Sequence, residues 1–199
     1  MIKVPATSAG MPVIRALIAA GINVNVTLIF ALDAYEQVMQ AYLGGLEDLV
    51  ERGGDPGEVA SVASFFVSRV DTAVDAHLRA LGSPATDLAG KAAVANARAA
   101  YARFREVFGS ERFRALAERG ARVQRPLWAS TSTKDPSLSD TLYFDELVGP
   151  DTVNTMPDSA LTAVLDHGDP TIRLNGEAVE AKATLAALAD AGIDMEGVT

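Results

Sequence analysis

An α/β fold on a parallel sheet is what this sequence predicts, and three observations carry the prediction. Short apolar runs alternate with loops and amphipathic helical stretches from one end to the other, the pattern of βαβ crossovers. At 49% hydrophobic and 22% charged residues, the 199-residue chain has an ordinary globular composition with enough apolar material for one sizeable core. No linker, low-complexity tract or solenoid period interrupts it, so residues 1–199 are expected to form a single domain.

The first strand is expected in "MIKVP", followed by a helix over residues 11–20 that Gly21 is placed to end. "INVNVTLIF" is the second strand. Tyr35, Val38, Met39, Tyr42, Leu43, Leu46, Leu49 and Val50 then recur at steps of three and four, one face of a long helix running to about Gly53. "EVASVASFFVS" reads as the third strand, with a helix over residues 71–81 and a loop at "GSPATD" behind it. Residues 87–120 are alanine-rich and read as two helices broken at Gly109 and Ser110. "ARVQRPLWAS" and "TVNTMP" supply the fourth and fifth strands, on either side of a short helical segment in "SDTLYFDELVG". "DSALTAVLDHG" and "EAVEAKATLAALADAG" read as helices.

Two architectures suit such an alternation: an open doubly wound sheet and a (β/α)8 barrel. No strand leads into a Gly-x-Gly-x-x-Gly turn or a phosphate loop, which weakens the nucleotide-binding version of the first. The strand compositions favour the barrel. Val24 and Val26 are expected to face helices, leaving Asn23, Asn25 and Thr27 on the other face. Ile2 and Val4 likewise leave Lys3 on the inner side, and Ser64 shares a face with Phe66. Parallel strands are usually apolar on both faces, so polar residues aligned on one of them are what a barrel active site needs.

Composition excludes several chemistries. There is no cysteine, hence no disulfide, thiolate metal site or cysteine nucleophile, which fits a cytoplasmic protein. His77 and His167 lie far apart with no ligand spacing around either, arguing against a histidine metal site or catalytic triad. No apolar run reaches the roughly 18 residues of a membrane span. The start shows no basic region followed by an apolar run, so no secretory signal is visible. A net charge of −9 argues against nucleic acid or an anionic membrane as the main partner, while leaving room for a small anionic substrate held by one or two cations.

Lys3 is the first candidate. It is either a solvated ammonium on a frayed terminus or a nucleophile. A free lysine, with its usual pKa of ~10.4, is a poor nucleophile at neutral pH; burial or a nearby cation frees the amine to attack a carbonyl. Asn25 and Thr27 are unusual for a strand interior and read either as backbone-bonded strand residues or as site residues. Arg69, five residues after Ser64, is an ion-pair partner or a phosphate ligand, since its fork matches that anion. Lys134, in the hydroxyl-rich "STSTKD", offers another anion site. Trp128 and Met156 read as core.

Taken in order, "IKVPAT", "GINVNVTLIF", "SFFVSR", "RPLWASTSTKD" and "DTLYFDELVGPDTVNTMP" resemble the transaldolase family in its longer bacterial form, over essentially the whole chain. The resemblance implies a (β/α)8 barrel, no metal and no organic cofactor. It implies transfer of a dihydroxyacetone unit from sedoheptulose 7-phosphate to glyceraldehyde 3-phosphate in the non-oxidative pentose phosphate pathway. Lys3 falls on the Schiff-base lysine of the fourth barrel strand. Asn25 and Thr27 match an Asn-x-Thr of the fifth strand, one bonding substrate and the other helping to hold a catalytic water. On the sixth strand Ser64 matches a ligand for a substrate hydroxyl, Arg69 a phosphate ligand, and Phe66 the aromatic residue beside them.

Two departures follow from the same resemblance. Shorter members carry a second phosphate-binding arginine in an Ala-Ser-x-Arg pattern; here the stretch reads Ala129-Ser130-Thr131-Ser132, and Lys134 is expected to stand in for it. The family's first three strands, with the aspartate and glutamate that transfer protons, have no counterpart here. A closed barrel typically takes ~250 residues, so the chain reads as an incomplete barrel comprising strands four to eight, truncated at both ends. Asp33 and Asp145 match neither missing acid.

Other readings stay open. One is a Schiff-base aldolase cleaving fructose 6-phosphate; another is a domain cut from a fusion with a sugar-phosphate isomerase. A third, of a different class, is an inactive barrel piece. An open sheet would expose unpaired edges, so self-association of the incomplete barrel is expected.

Overall fold

A computed structural model describes residues 1–82, 85–175 and 178–198. The expected loop at residues 83 and 84, and Glu177 at the head of the last expected long helix, lie outside the described residues. Five strands, β1 (Ile2–Pro5), β2 (Val24–Ile29), β3 (Ser61–Phe66), β4 (Arg125–Ala129) and β5 (Val153–Asn154), form one sheet in the order β1-β2-β3-β4-β5. Every strand neighbours the next in sequence. A doubly wound sheet reverses its order at a switch point, so this order is compatible with part of a (β/α)8 barrel.

The chain groups into two compact units. The first comprises Met1–Phe65 and Arg103–Leu127. Within it β1 runs parallel to β2, with Ile2 opposite Val24 and Lys3 opposite Asn25, and β2 runs parallel to β3. Helices α1 (Gly10–Ala19) and α2 (Leu32–Glu51) pack on β2. As expected from the alternation, Val24 and Val26 are fully buried, together with Ile29. The expected stripe on α2 is buried too: Tyr35, Val38, Met39, Tyr42, Leu43 and Leu46.

Gly21 ends α1 at φ +74°, where only glycine is comfortable, and the Ile22 N–H returns to Leu17 O at 3.0 Å. At Gly45, α2 passes so close to α1 that a Cβ would stand 2.7 Å from both Arg15 O and Ile18 Cβ. The break expected at Gly109 and Ser110 separates α4 (Ala92–Phe108) from α5 (Glu111–Ala117), and Ser110 caps α5 by accepting from Phe113 N.

The second unit comprises Phe66–Ala102 and Trp128–Thr199. It contains α3 (Ser68–Leu81), α6 (Leu142–Asp145), α7 (Asp158–His167), α8 (Val179–Asp190) and α9 (Met195–Val198). Trp128 is fully buried, its indole N–H donating to Leu147 O at 3.1 Å, and Tyr101 donates to Pro150 O at 3.1 Å. Arg98 and Arg173 both donate to Glu146, and Arg173 also reaches Asp169 at 2.6 Å.

Several boundaries differ from the expected ones; β4 starts at Arg125 rather than Ala121, and β5 covers only Val153–Asn154 of the expected "TVNTMP". β3 is shorter than "EVASVASFFVS", because Pro56–Glu58 forms a 3-10 turn and the Ala60 N–H bonds the Asn23 side chain instead of a ladder partner. α3 starts at Ser68 rather than Asp71, since Asp71 and Asp75 occupy its buried face and mask the apolar period. The short α9 was not anticipated, and the expected helix start at Asp87 proves to be a 3-10 turn, Ala85–Leu88, ahead of α4.

Candidate active site

In the first unit, three strands bring four of the expected residues onto one sheet face. The register sets Lys3 beside Asn25 and Pro5 beside Thr27. Ser64 Oγ donates to Asn25 Oδ1 at 2.7 Å, which fixes the amide so that its Nδ2 protons are left to donate elsewhere. Ser64 and Thr27 are buried at 3% and 7% exposure, Asn25 is half-buried, and Lys3 is exposed. The expectation that Ile2 and Val4 both pack against helices holds for Val4 alone, at 7% exposure; Ile2 is 49% exposed. Lys3 is therefore not enclosed by its strand neighbours.

Beyond Thr27 the ladder slips. Val26 pairs with Ala63, yet the next paired residue, Ile29, meets Phe65. Two steps on β3 thus face three on β2, the signature of a bulge. Leu28 takes up the extra residue at φ +59°, a conformation that is an outlier for a bulky side chain.

In the second unit, Arg69 is exposed just inside α3, and its guanidinium carbon stands 4.9 Å from the centroid of the Phe66 ring. Lys134 donates to Ser132 Oγ at 2.8 Å. It lines a cavity of about 410 Å³ with Ser68, Asp71, Thr72, Asp75, Tyr143 and others, among which Arg69 is not found. Ser68 Oγ lies 2.9 Å from Ser130 Oγ, and the Ser68 N–H donates to Ser130 O. Ser130, like Leu28, holds a left-handed backbone, φ +59°, just past the end of a strand.

The cavity is acidic as well as basic. Asp71 accepts from Ala93 N at 2.7 Å and from the Tyr143 hydroxyl at 2.8 Å. Burial nevertheless raises the carboxyls of both Asp71 and Asp75 above the ordinary aspartate range. Burial first, then the Asp71 carboxylate, also pushes the Tyr143 hydroxyl up. Asp135 is held low by its bonds from Ser137.

A wider groove of about 650 Å³ on α1 and α2, lined by Met11, Arg15, Asp33, Glu36 and neighbours, holds none of the expected site residues. No group of three His, Cys, Asp or Glu stands ready for a metal ion among the described residues, and no helix among them is long and apolar enough to cross a membrane.

A family model described as Transaldolase/Fructose-6-phosphate aldolase matches residues 1–199. The chain belongs to this family. Curated relatives named transaldolase include one from Acidothermus cellulolyticus, 58% identical over 201 residues, and one from Mycolicibacterium smegmatis, 58% identical over 200 residues. Each match covers 100% of this chain and 54% of the relative. A transaldolase from Thermobifida fusca, 55% identical, is covered to the same extent. The chain thus spans about half the length of the curated relatives it matches.

Within this transaldolase-family chain, Leu28, Ser68, Ser130, Asp71 and Tyr143 were not picked out from sequence. Only Leu28 left a signal. "VNVTLIF" alternates as far as Thr27 and then runs Leu28, Ile29, Phe30 without a break, which a slipped register explains. Asp71 and Tyr143 lie 72 residues apart, beyond any periodicity.

Proposed function

We propose that this chain carries the imine-forming part of a transaldolase site. The observation that carries the reading is the register that sets Lys3 beside Asn25, with the Asn25 amide held by Ser64, in a chain of this family. Lys3 Nζ attacks the ketose carbonyl of sedoheptulose 7-phosphate and water leaves, forming an iminium. The hydroxyl beyond the bond to be cut gives its proton to the water that Thr27 holds, and the new alkoxide takes one back after the transfer. That carbon–carbon bond breaks, erythrose 4-phosphate departs, and the electron pair is taken up as an enamine on Lys3. The enamine carbon attacks glyceraldehyde 3-phosphate, and hydrolysis releases fructose 6-phosphate and the free amine.

Asn25 and Ser64 hold substrate hydroxyls, Thr27 holds the water, Phe66 borders the sugar, and Arg69 with Lys134 binds phosphate. The strands correspond on this reading to four through eight of a (β/α)8 barrel, residues 1–199 being one incomplete barrel domain that self-associates through its open edges. The reaction needs no metal or organic cofactor, belongs to the pentose phosphate pathway, and takes place in the cytoplasm.

Borohydride reduction in the presence of fructose 6-phosphate tests this. The expected result is a mass increase located on Lys3 and abolished by Lys3→Ala. In Lys134→Ala the adduct forms at roughly tenfold higher sugar concentration, about the worth of one charged contact. A folded chain that gives no adduct overturns the proposal. Turnover with erythrose 4-phosphate as acceptor separates transfer from the fructose 6-phosphate cleavage that the family description also names.

A further inference from the structure

Leu28 combines three properties that rarely meet in one residue. It is apolar and 47% exposed, it sits in a strand, and its backbone is left-handed at φ +59°. The bulge accounts for the direction of its side chain. Val26 and Ile29 are both fully buried against the helices, and in a regular strand two residues on one face are separated by a single residue. Here two residues, Thr27 and Leu28, lie between them, and both are carried to the side opposite the helices, where Lys3 and Asn25 stand. Without the extra residue, position 28 would take the helix side and the mouth of the face would end at Thr27.

We propose that Leu28 is a specificity-determining residue: an apolar wall at the strand end of the Lys3–Asn25–Thr27 face that shields the bound enamine from water. The proposal rests on the imine reading above. An enamine has two fates. Its carbon can attack an aldehyde, giving transfer. Alternatively it takes a proton from water, and hydroxide then hydrolyses the iminium, releasing dihydroxyacetone and the free Lys3 amine. A hydrocarbon beside the reacting carbon offers no proton and displaces the water that would. The strained backbone at this position fits such a role, since local strain persists where the surrounding structure enforces it for function.

The stability consequence runs opposite to the chemical one, which makes the test selective. Glycine and asparagine adopt the left-handed region more readily than leucine. Leu28→Gly and Leu28→Asn are therefore expected to unfold at the same or a higher temperature than the unaltered chain. With fructose 6-phosphate and no acceptor, both are expected to lower the borohydride-trapped Lys3 adduct by about fivefold and to raise dihydroxyacetone release in step. Leu28→Met, which keeps the apolar wall, is expected to behave as the unaltered chain. If the unaltered chain forms the adduct and both variants match it, the role of Leu28 is overturned while the imine reading stands. A loss of adduct that follows a fall in unfolding temperature also overturns it, as a merely structural effect. If the unaltered, folded chain forms no adduct, both proposals fall together.

Discussion

In residues 1–65 and 103–127 the interior is closed by volume, whereas in residues 66–102 and 128–198 buried polar groups tie the elements to one another. The first unit packs Ile14, Ile18, Val38, Met39 and Leu46 at zero exposure and lets two helices touch backbone to side chain at Gly45. Beside a few interior ties, such as Gln124 to Ser61, Ser61 to the Val24 carbonyl and Tyr42 to the Arg122 carbonyl, it sets polar groups on the sheet face that carries Lys3, Asn25, Thr27 and Ser64. The second unit buries Asp71 at 3% and Asp75 at 6% exposure and links Arg98, Glu146, Arg173 and Asp169 in a chain of ion pairs. A residue on a strand, as Lys3 is, is placed by ladder register and packing. A loop carrying Lys134 has no ladder, so hydrogen bonds and charges must hold its surroundings. The two units should accordingly fail under different insults: added volume for the first, altered charge or pH for the second.

Added volume is the largest expected effect. A Cβ at Gly45 meets the Arg15 carbonyl oxygen, which is locked in α1 and cannot retreat. Gly45→Val is therefore expected to cost about 2–3 kcal/mol of stability in urea unfolding. Its neighbour is the control. At Gly44 the nearest atom is the Arg15 guanidinium carbon at 3.2 Å, the far end of a flexible side chain. Gly44→Ala is expected to gain up to about 1 kcal/mol from helix propensity. Equal losses at the two glycines would erase the claim that steric fit at one point closes this unit.

Charge is the next lever. Glu146 receives Arg98 on one oxygen and Arg173 on the other, with only 25% of its side chain exposed. Glu146→Gln leaves one acceptor for two guanidinium groups and is expected to cost about 1 kcal/mol. That loss should shrink in concentrated salt, which screens the pairs in the unaltered chain, while the loss at Gly45 should not. A salt-independent loss at Glu146 would show that shape, not charge, is what this residue supplies.

The same contrast governs what could be read from sequence. The alternation in "NVNVT" placed Val24 and Val26 on the helix side, with Asn25 and Thr27 opposite, and the α2 stripe was legible residue by residue. Packing by volume leaves a period in the chain. Polar ties do not: Tyr143 meets Asp71 across 72 positions and Arg98 meets Glu146 across 48. Asp71 and Asp75 on the buried side of α3 even hid where that helix begins. Of the site, the residue types on the Lys3 face were visible in sequence. The Ser64–Asn25 bond and the bulge at Leu28 were not, because both depend on how β2 and β3 are paired.

The smallest effect tests the second unit by pH. Burial raises the Asp71 carboxyl in the folded state, so the folded protein holds this proton more tightly than the unfolded chain does. Stability from this group then falls as pH rises from about 4, the ordinary aspartate range, to above the raised folded value, and is level on either side. Asn at this position keeps an oxygen to accept from Ala93 N, and its NH2 can donate to the Tyr143 hydroxyl, which turns to accept. Asp71→Asn should therefore fold while lacking this one titration. Urea unfolding of both proteins across the acid range measures the difference, expected to move in favour of the Asn variant as pH rises. Should the difference instead move towards Asp71, the hydrogen bonds from Ala93 and Tyr143 outweigh burial, and the carboxylate is a stabilising cap of α4 rather than a strained tie.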